Sequence, residues 1–271
     1  MGLTVDNIGE ARSSGLARSL DRLDRLHVMA AAFGIGLVAF LAIEPTQNWL
    51  LLLMALLAGL GSDGVVRSHP RAPFQRLDET ALYLFLPVLF TLAVGLFLKE
   101  AAEGYWRVPT GLLMGVPFGL ILRAEYDSVQ SQAGVYLTAR FILNVATYVV
   151  VFLFYATIID FEVDLLPSAF AVGVVSLLLA IEVLREEALE TPRTVACALA
   201  IGLLLAEVAW SLHFLPLDGP VAAIFLLLAF YALTGLMHSY LGQRLTLRTA
   251  GEFAATSLAG LAVVVLSHVY L

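Results

Sequence analysis

Long runs of apolar residues fill almost the whole chain, and only short polar segments separate them. About 20 consecutive apolar residues are enough for a helix to span the roughly 30 Å hydrocarbon core of a bilayer. The strands of a membrane β-barrel would be about half as long and would alternate polar with apolar residues. The pattern therefore predicts an all-α, polytopic membrane bundle with about nine transmembrane helices, at 28–46, 48–66, 81–99, 104–123, 135–159, 163–185, 194–215, 219–240 and 250–271.

The basic residues indicate how these spans are oriented. With the N-terminus in the cytoplasm, all but two of the 15 basic residues fall on the inner side, and only Lys99 and Arg107 fall on the outer side. Cytoplasmic loops carry an excess of Lys and Arg, whereas acidic residues contribute little to topology. The split predicts an inner N-terminus and an outer C-terminus, and an even number of spans would break it.

The segment before the first span has a different pattern. Between residues 16 and 26, leucines fall on one helical face and arginines fall toward another, which suits an amphipathic helix on the inner leaflet. A helix that binds a partner is the alternative. The segment lacks a convincing signal-peptide cleavage site, so we expect it to be retained. We therefore predict a cytoplasmic interfacial segment, 1–27, and a transmembrane helical domain, 28–271.

Composition agrees with a membrane protein and argues against several other classes. Hydrophobic residues make up 60% of the chain and charged residues 14%, and the mean hydropathy is +0.90. Soluble domains carry roughly 25% charged residues. The net charge of −7 and the lack of a basic stripe argue against a nucleic-acid partner. The single cysteine, Cys197, permits neither an intrachain disulfide nor a cysteine zinc site.

Glycines form two patterns along the chain. Those in 59–64 match the G-x-G-x-x-G motif of dinucleotide-binding folds, which requires a strand before the glycine turn and a helix after it. Here they end the second span and a proline-containing loop follows, so we interpret them as small residues for close helix packing. Gly111, Gly115 and Gly119 on the fourth span form a row that predicts the same role.

Spans two to five and spans six to nine share direction and similar lengths. Each set also has an acidic residue near an inner end, Asp63 in the first and Glu182 in the second. These features leave open a parallel repeat of four helices about an axis along the membrane normal, with the first span as an extra helix. Chance similarity between leucine-rich helices is the alternative that we favour.

Polar side chains inside the spans are the candidate functional residues, because each one is costly in lipid without a partner or a purpose. Those of the fifth span share one helical stripe, and those of the eighth span share another. Asp63 and Glu182 are the candidates for an inner-side charge pair, at the depth at which Arg140 also lies. The predicted site for a ligand or a proton, between the fifth, seventh and eighth spans, comprises Glu207, Arg140, Asn144, Tyr148, Tyr231 and His238.

Glu207 and Arg140 carry most of this hypothesis. Glu207 lies about 13 residues, or roughly 20 Å, into its span, where a carboxyl without an arginine partner is neutral. Such a group could carry a coupling proton, and the alternative is a protonated carboxyl that donates one interhelical hydrogen bond. Arg140 keeps its charge, so Asp63 or Glu182 is its expected partner, in a pair that is either structural or functional.

No catalytic signature accompanies these residues. The sequence lacks the H-E-x-x-H, G-x-x-x-x-G-K-[ST] and G-x-S-x-G motifs, and it has no cluster with metal-ligand spacing. We therefore expect no cofactor and no metal. The leading interpretation is a transporter-like protein that handles a small or amphipathic solute with proton coupling through Glu207. The alternatives are a membrane-embedded enzyme acting on a lipid or isoprenoid, and a non-catalytic scaffold or complex subunit.

Two segments carry a family resemblance. The run LLLAEVAWSLHFLPLDGPVAAIFLLLAFYALTGLMHSYL, residues 203–241, together with GSDGVVRSHPRAPF, residues 61–74, resembles an uncharacterised family of bacterial multi-pass membrane proteins of unknown function. The resemblance implies a location in the bacterial cytoplasmic (inner) membrane. The expected partners are the lipid bilayer, an amphipathic ligand or lipid, and a second membrane protein. No functional residue can be transferred, because the family has none assigned.

The orientation can be tested with reporter fusions. Because the basic residues fall on one side of every loop, a reporter fused after Leu271 should report an external location. A reporter inserted near Pro192 should report a cytoplasmic location. Two cytoplasmic results would contradict the odd number of spans.

Overall fold

The computed structural model describes residues 25–43, 47–68, 77–129, 134–161, 164–185, 191–215, 217–243 and 245–270, and in these ranges the backbone forms helices and turns without a strand. Almost all of the predicted interfacial segment 1–27 lies outside the described residues. The helices are α1 (Arg25–Ala42), α2 (Asn48–Arg67), α3 (Leu77–Ala101), α4 (Arg107–Leu113), α5 (Gly115–Ser128), α6 (Tyr136–Asp160), α7 (Leu165–Leu184), α8 (Thr191–Leu212), α9 (Gly219–Leu241) and α10 (Leu247–Tyr270).

Within the described ranges, seven helices are long and apolar enough to cross a membrane: α1, α2, α3, α6, α7, α8 and α9. This confirms the all-α, polytopic membrane bundle, and the chain is a multi-pass membrane protein. The two remaining predicted spans correspond to the pair α4 and α5 and to α10, which has 24 residues. The count of nine spans, their orientation and the parallel repeat stay predictions.

The fourth predicted span, 104–123, is divided into a short 3-10 turn, Gly104–Trp106, and the helices α4 and α5. The break between the two helices falls at Met114, which caps both of them. Pro117 follows three residues later. Because proline has no backbone N–H, it cannot donate to the carbonyl of Leu113, and its ring disfavours a continuous helix at that point. The sequence therefore contains a local reason for the division.

Helix α6 occupies a central position in the bundle. It contacts α3, α5, α7 and α9, while α7 packs against α8, α2 against α3, and α9 against α10. Polar residues of α6 such as Arg140 and Thr147 are consequently buried. This arrangement keeps the polar stripe of α6 away from lipid, where it would be costly.

The glycine row of the fourth span is a packing surface for α1. A Cβ atom added at Gly115 would lie 2.6 Å from the backbone oxygen of Ala30, and one added at Gly111 would lie 3.1 Å from the backbone nitrogen of Val38. Beside this crossing, the rings of Phe33 and Phe118 stack with their centroids 4.2 Å apart. The predicted role of the row is confirmed, because only residues without a side chain allow this approach.

The three glycines of the motif in α2 differ in how closely other helices approach them. A Cβ atom at Gly59 would lie 3.0 Å from Val88 of α3, and one at Gly61 would meet the end of Met29 of α1. Gly64 has no described neighbour within 4 Å. Close packing therefore accounts for two of the three glycines that form the dinucleotide-like motif.

Gly115→Ala and Gly64→Ala should change stability in opposite directions. At Gly115 the new methyl group would push α1 away from α5, which should lower the free energy of unfolding by about 1–3 kcal/mol. At Gly64 the methyl group meets open space. Replacing a helical glycine with alanine should there raise the free energy of unfolding by up to about 1 kcal/mol. Thermal unfolding in detergent measures both variants. A shift of the same sign in both would contradict the packing role of the row.

Candidate functional site

Four charged side chains from α5, α6 and the end of α7 form a buried group of ion pairs, here called the charge cluster. Arg140 Nη1 lies 3.3 Å from Glu182 Oε1, and Arg140 Nη2 donates to the backbone oxygen of Glu182 at 3.2 Å. Arg185 Nη2 lies 3.0 Å from Glu182 Oε1 and 3.0 Å from Glu125 Oε2. Two arginines thus face two glutamates, and their formal charges balance.

The charge cluster is almost closed to solvent. The side chains of Arg140 and Glu182 are 4% and 1% exposed, and those of Arg185 and Glu125 are 13% and 1% exposed. Tyr83 of α3 covers Arg185, whose guanidinium carbon lies 4.3 Å from the centre of the tyrosine ring in a cation–π contact. With so little water present, each charge depends on the others for compensation.

Helix ends that meet at one side of the bundle bring these charges together. Arg140 lies four residues after the start of α6, Glu182 lies two residues before the end of α7, and Glu125 lies three residues before the end of α5. Antiparallel connection of α6 and α7 places the start of the first beside the end of the second. The predicted orientation puts all these ends on the inner side.

Sequence reasoning named part of the charge cluster and missed the rest. Of the two carboxylates proposed for Arg140, Glu182 contacts it, while Asp63 forms an ion pair with Arg67 on α2, with Nε and Oδ2 2.7 Å apart. Arg185 was counted only among the inner-side basic residues, and Glu125 was not identified as a candidate. The spacing of Glu182 and Arg185 at i and i+3 could have indicated that Arg185 belongs to the cluster, because residues three apart share a helix face.

A second polar contact joins α6 to α9. The hydroxyl oxygens of Tyr148 and Thr234 lie 3.4 Å apart, and the rings of Tyr148 and Tyr231 lie 5.9 Å apart. The structure therefore brings together the two tyrosines that the sequence placed in the site. Asn144 and His238 are half-buried on the same two helices, one and two turns away from these rings toward the inner side.

Glu207 has a different environment from the rest of the predicted site. It is exposed on α8, and Ser211 Oγ donates to its backbone oxygen at 2.9 Å. It lies 16 residues, or about 24 Å, from the inner end of α8, whereas Arg140 is only about 6 Å from the inner end of α6. The structure thus does not bring Glu207 to the charge cluster.

A cavity of about 350 Å³ opens between the ends of α6, α7, α8 and α9 that are predicted to be outer, and we call it the outer cavity. Its lining is mainly aliphatic, with Ser168 of α7 and His213 after α8 as polar members. Val172 and Leu226 close its inner side and are almost fully buried. The side of α8 that reaches this cavity is opposite to the side that carries Glu207.

Polar groups continue from the outer cavity toward the charge cluster along α6 and α7. One turn below Val172, the hydroxyl groups of Tyr155 and Ser176 lie 2.6 Å apart and are fully buried. Further toward the inner side, Thr147 donates to the backbone oxygen of Leu143 at 2.8 Å. Buried apolar residues such as Leu179 separate these groups from the charge cluster. Buried polar groups therefore occur at intervals between the two features, and apolar packing separates them from the charge cluster.

A family model described as a protein of unknown function, DUF5656, matches residues 24–267. The match extends from the start of α1 into the last turn of α10. No curated protein and no solved structure matches the chain. An activity must therefore be argued from the geometry of the site itself.

Changing the sign of Arg140 should destabilise the protein more than neutralising it does. Arg140→Gln removes one partner from a buried ion pair, which typically costs about 3–5 kcal/mol. Arg140→Glu adds a third carboxylate beside Arg185 and should lower folded yield and unfolding temperature further. Glu252→Gln, in an exposed pair with Arg248, serves as the control and should change stability by no more than about 0.5 kcal/mol. Equal losses for both Arg140 variants would show that charge balance does not hold the cluster together.

Proposed function

Because the chain belongs to DUF5656, a family of proteins of unknown function, we propose its function from its geometry: a transporter-like protein of the bacterial cytoplasmic membrane that handles a small or amphipathic solute. One observation carries this proposal. The charge cluster closes the inner ends of α5, α6 and α7, while the outer cavity opens between the opposite ends of α6 and α7. Alternating access requires an opening on one side and a reversible closure on the other. In this proposal, the charge cluster is the inner gate.

Burial of the charge cluster favours a gate over a catalytic site. Arg140 and Glu182 are both buried, so a lipid or isoprenoid substrate could reach them only after the helices had separated. Ion pairs between helices can break and re-form when helices move as rigid bodies. The arrangement therefore supports transport better than the alternative of an enzyme that acts on a lipid.

We assign the coupling proton to the charge cluster instead of Glu207, which is exposed on the far side of α8 from the outer cavity. Glu125 Oε1 and Glu182 Oε2 are buried and have no hydrogen-bond partner among the described residues, so either carboxylate offers an oxygen that can accept a proton. Protonation would remove one negative charge and leave an arginine incompletely compensated. A buried, uncompensated charge favours separation of the helices that enclose it.

The lining of the outer cavity indicates the class of solute. Small-molecule sites usually have volumes of about 300–1,000 Å³ and are mostly apolar with a few polar groups. The outer cavity, at about 350 Å³, lies at the lower end of this range, and His213 and Ser168 are its polar members. A small solute with an apolar body and one polar group would fit this lining.

Participation in a membrane complex is a second candidate function, and the exposed side of α8 favours it. Leu199, Leu203 and Trp210 are exposed there together with Glu207. A carboxyl that faces hydrocarbon is costly, and a hydrogen-bond donor on a partner helix would lower that cost. The experiment described next separates this function from transport.

Cysteine accessibility can test the gate. After Cys197→Ala removes the native thiol, Ser176→Cys places a thiol between the outer cavity and the charge cluster. A membrane-impermeant maleimide added at the inner side should react slowly, because Ser176 is fully buried. Adding Glu182→Gln should increase the rate at least about tenfold, the change expected for about 1.4 kcal/mol in the opening equilibrium. Lowering the inner pH from about 8 to about 5 should also increase the labelling rate, since a proton taken up by the charge cluster removes one of its negative charges.

Asp127→Asn provides the matched control for this experiment, because Asp127 lies on α5 in a more exposed pair with Arg123. It should leave the labelling rate unchanged. Equal rates in the Glu182→Gln and Asp127→Asn backgrounds would contradict the gate and leave the complex subunit as the better candidate. Monodisperse elution of each variant in detergent distinguishes gate opening from unfolding.

A further inference from the structure

A groove of about 320 Å³ runs along the outside of the bundle where α1 crosses α4 and α5. Its composition changes along its length. His27 and Arg123 line one end, whereas small residues such as Ala30 and Gly119 and larger apolar residues such as Leu112 line the remainder. The groove thus has a cationic end and an apolar body.

The cationic end lies where a lipid headgroup would be. His27 is in the first turn of α1, and Arg123 is five residues before the end of α5. The start of α1 and the end of α5 lie on the same side of the bundle, because residues from both line this end of the groove. An arginine near the membrane surface attracts anionic headgroups and contributes about 1 kcal/mol to membrane attraction.

Arg123 is well placed to bind an anion. Its side chain is 65% exposed, and its Nε lies 3.8 Å from Asp127 Oδ2. That separation is longer than a hydrogen bond, so the guanidinium retains its donors for another acceptor. A phosphate group accepts such donors in a charge-assisted and often bidentate arrangement.

The apolar body of the groove follows from the close approach of α1 to α5. A Cβ atom added at Gly115 would meet the backbone oxygen of Ala30, and one added at Gly119 would meet its side chain. Small residues on both helices leave a groove beside the crossing that is bordered by the apolar side chains of Leu120 and Val116. A neighbouring groove of about 280 Å³ between α1 and α2 has only uncharged residues in its lining. The groove beside Arg123 therefore has both a cationic end and an apolar body, whereas the lining of the neighbouring groove has no charged residue.

We propose that the groove between α1 and α5 binds an anionic phospholipid, with the phosphate at Arg123 and one acyl chain along the small residues that line the groove. Charge complementarity selects an anion, and the apolar body requires that the anion be attached to a hydrocarbon chain. The site lies on the outside of the bundle and does not involve the outer cavity or the charge cluster, so it is independent of the proposed transport function.

Native mass spectrometry of the full chain in detergent tests this proposal, with phosphatidylglycerol as the probe and phosphatidylcholine as the neutral comparison. The wild type should retain phosphatidylglycerol preferentially. Arg123→Gln should reduce its retention about fivefold, the change that corresponds to losing one basic contact. Arg248→Gln is the matched control, because Arg248 is also exposed, pairs with an acid four residues later, and lies at a predicted inner helix end. It should retain phosphatidylglycerol as the wild type does.

A second variant tests the apolar body without changing charge. Ala31 lines the groove and is exposed, so Ala31→Phe should fill the groove and lower phosphatidylglycerol retention while stability without lipid stays the same. Equal retention by Arg123→Gln and Arg248→Gln would overturn the proposal. So would a stabilisation by inorganic phosphate equal to that by phosphatidylglycerol, which would indicate a simple anion site. The absence of any preference over phosphatidylcholine, as expected if residues 1–24 fill the groove, would also overturn it.

Discussion

The ion pair between Arg140 and Glu182 is the interaction on which the inner half of this bundle depends. An arginine cannot lose its charge in the membrane, so its position requires a carboxylate from another helix. That requirement determines which faces of α6 and α7 meet. Arg185 then extends the arrangement to Glu125 of α5, and its contact with Tyr83 extends it to α3. Four helices are thereby connected through a few side chains that are individually unfavourable in lipid.

The divided fourth span contributes both a buried charge and a packing surface to this half of the bundle. Pro117 interrupts the helix, and α5 then runs as a separate segment whose last turn carries Glu125. The glycines on both sides of the break let α1 approach closely and hold α5 against the bundle. The same approach creates the groove that ends at Arg123. Packing by small residues therefore positions both a buried charge and a surface site.

Polar groups on the surface of the bundle suggest roles that differ from those of buried ones. A buried carboxylate such as Glu182 is compensated by arginines of the same chain. Glu207 is exposed on α8, and compensation there must come from protonation, from a lipid headgroup or from another polypeptide. The proposals for an inner gate, a lipid groove and a partner surface on α8 therefore concern three separate parts of the molecule.

The sequence by itself determined the class of the fold and most helix bounds. Runs such as 219–240 are long, apolar and bounded by polar residues, so the length of the bilayer core and the cost of exposed backbone leave a helix as the solution. The glycine row and the charge on Arg140 were also readable, because their chemistry is local. The break at Met114 went unrecognised, although Pro117 could have indicated it.

Tertiary structure decided which polar residues meet. Glu207 and Arg140 both occur at depths that require a partner, but their spacing along the chain does not determine which way each helix turns its face. The rotation of α8 depends on its packing against α7, where Gly173 and Gly202 allow close contact. That packing places Glu207 on the outside, while the rotation of α7 brings Glu182 and Arg185 to Arg140. Helical periodicity shows which residues share a face, and only contact between helices decides what that face touches.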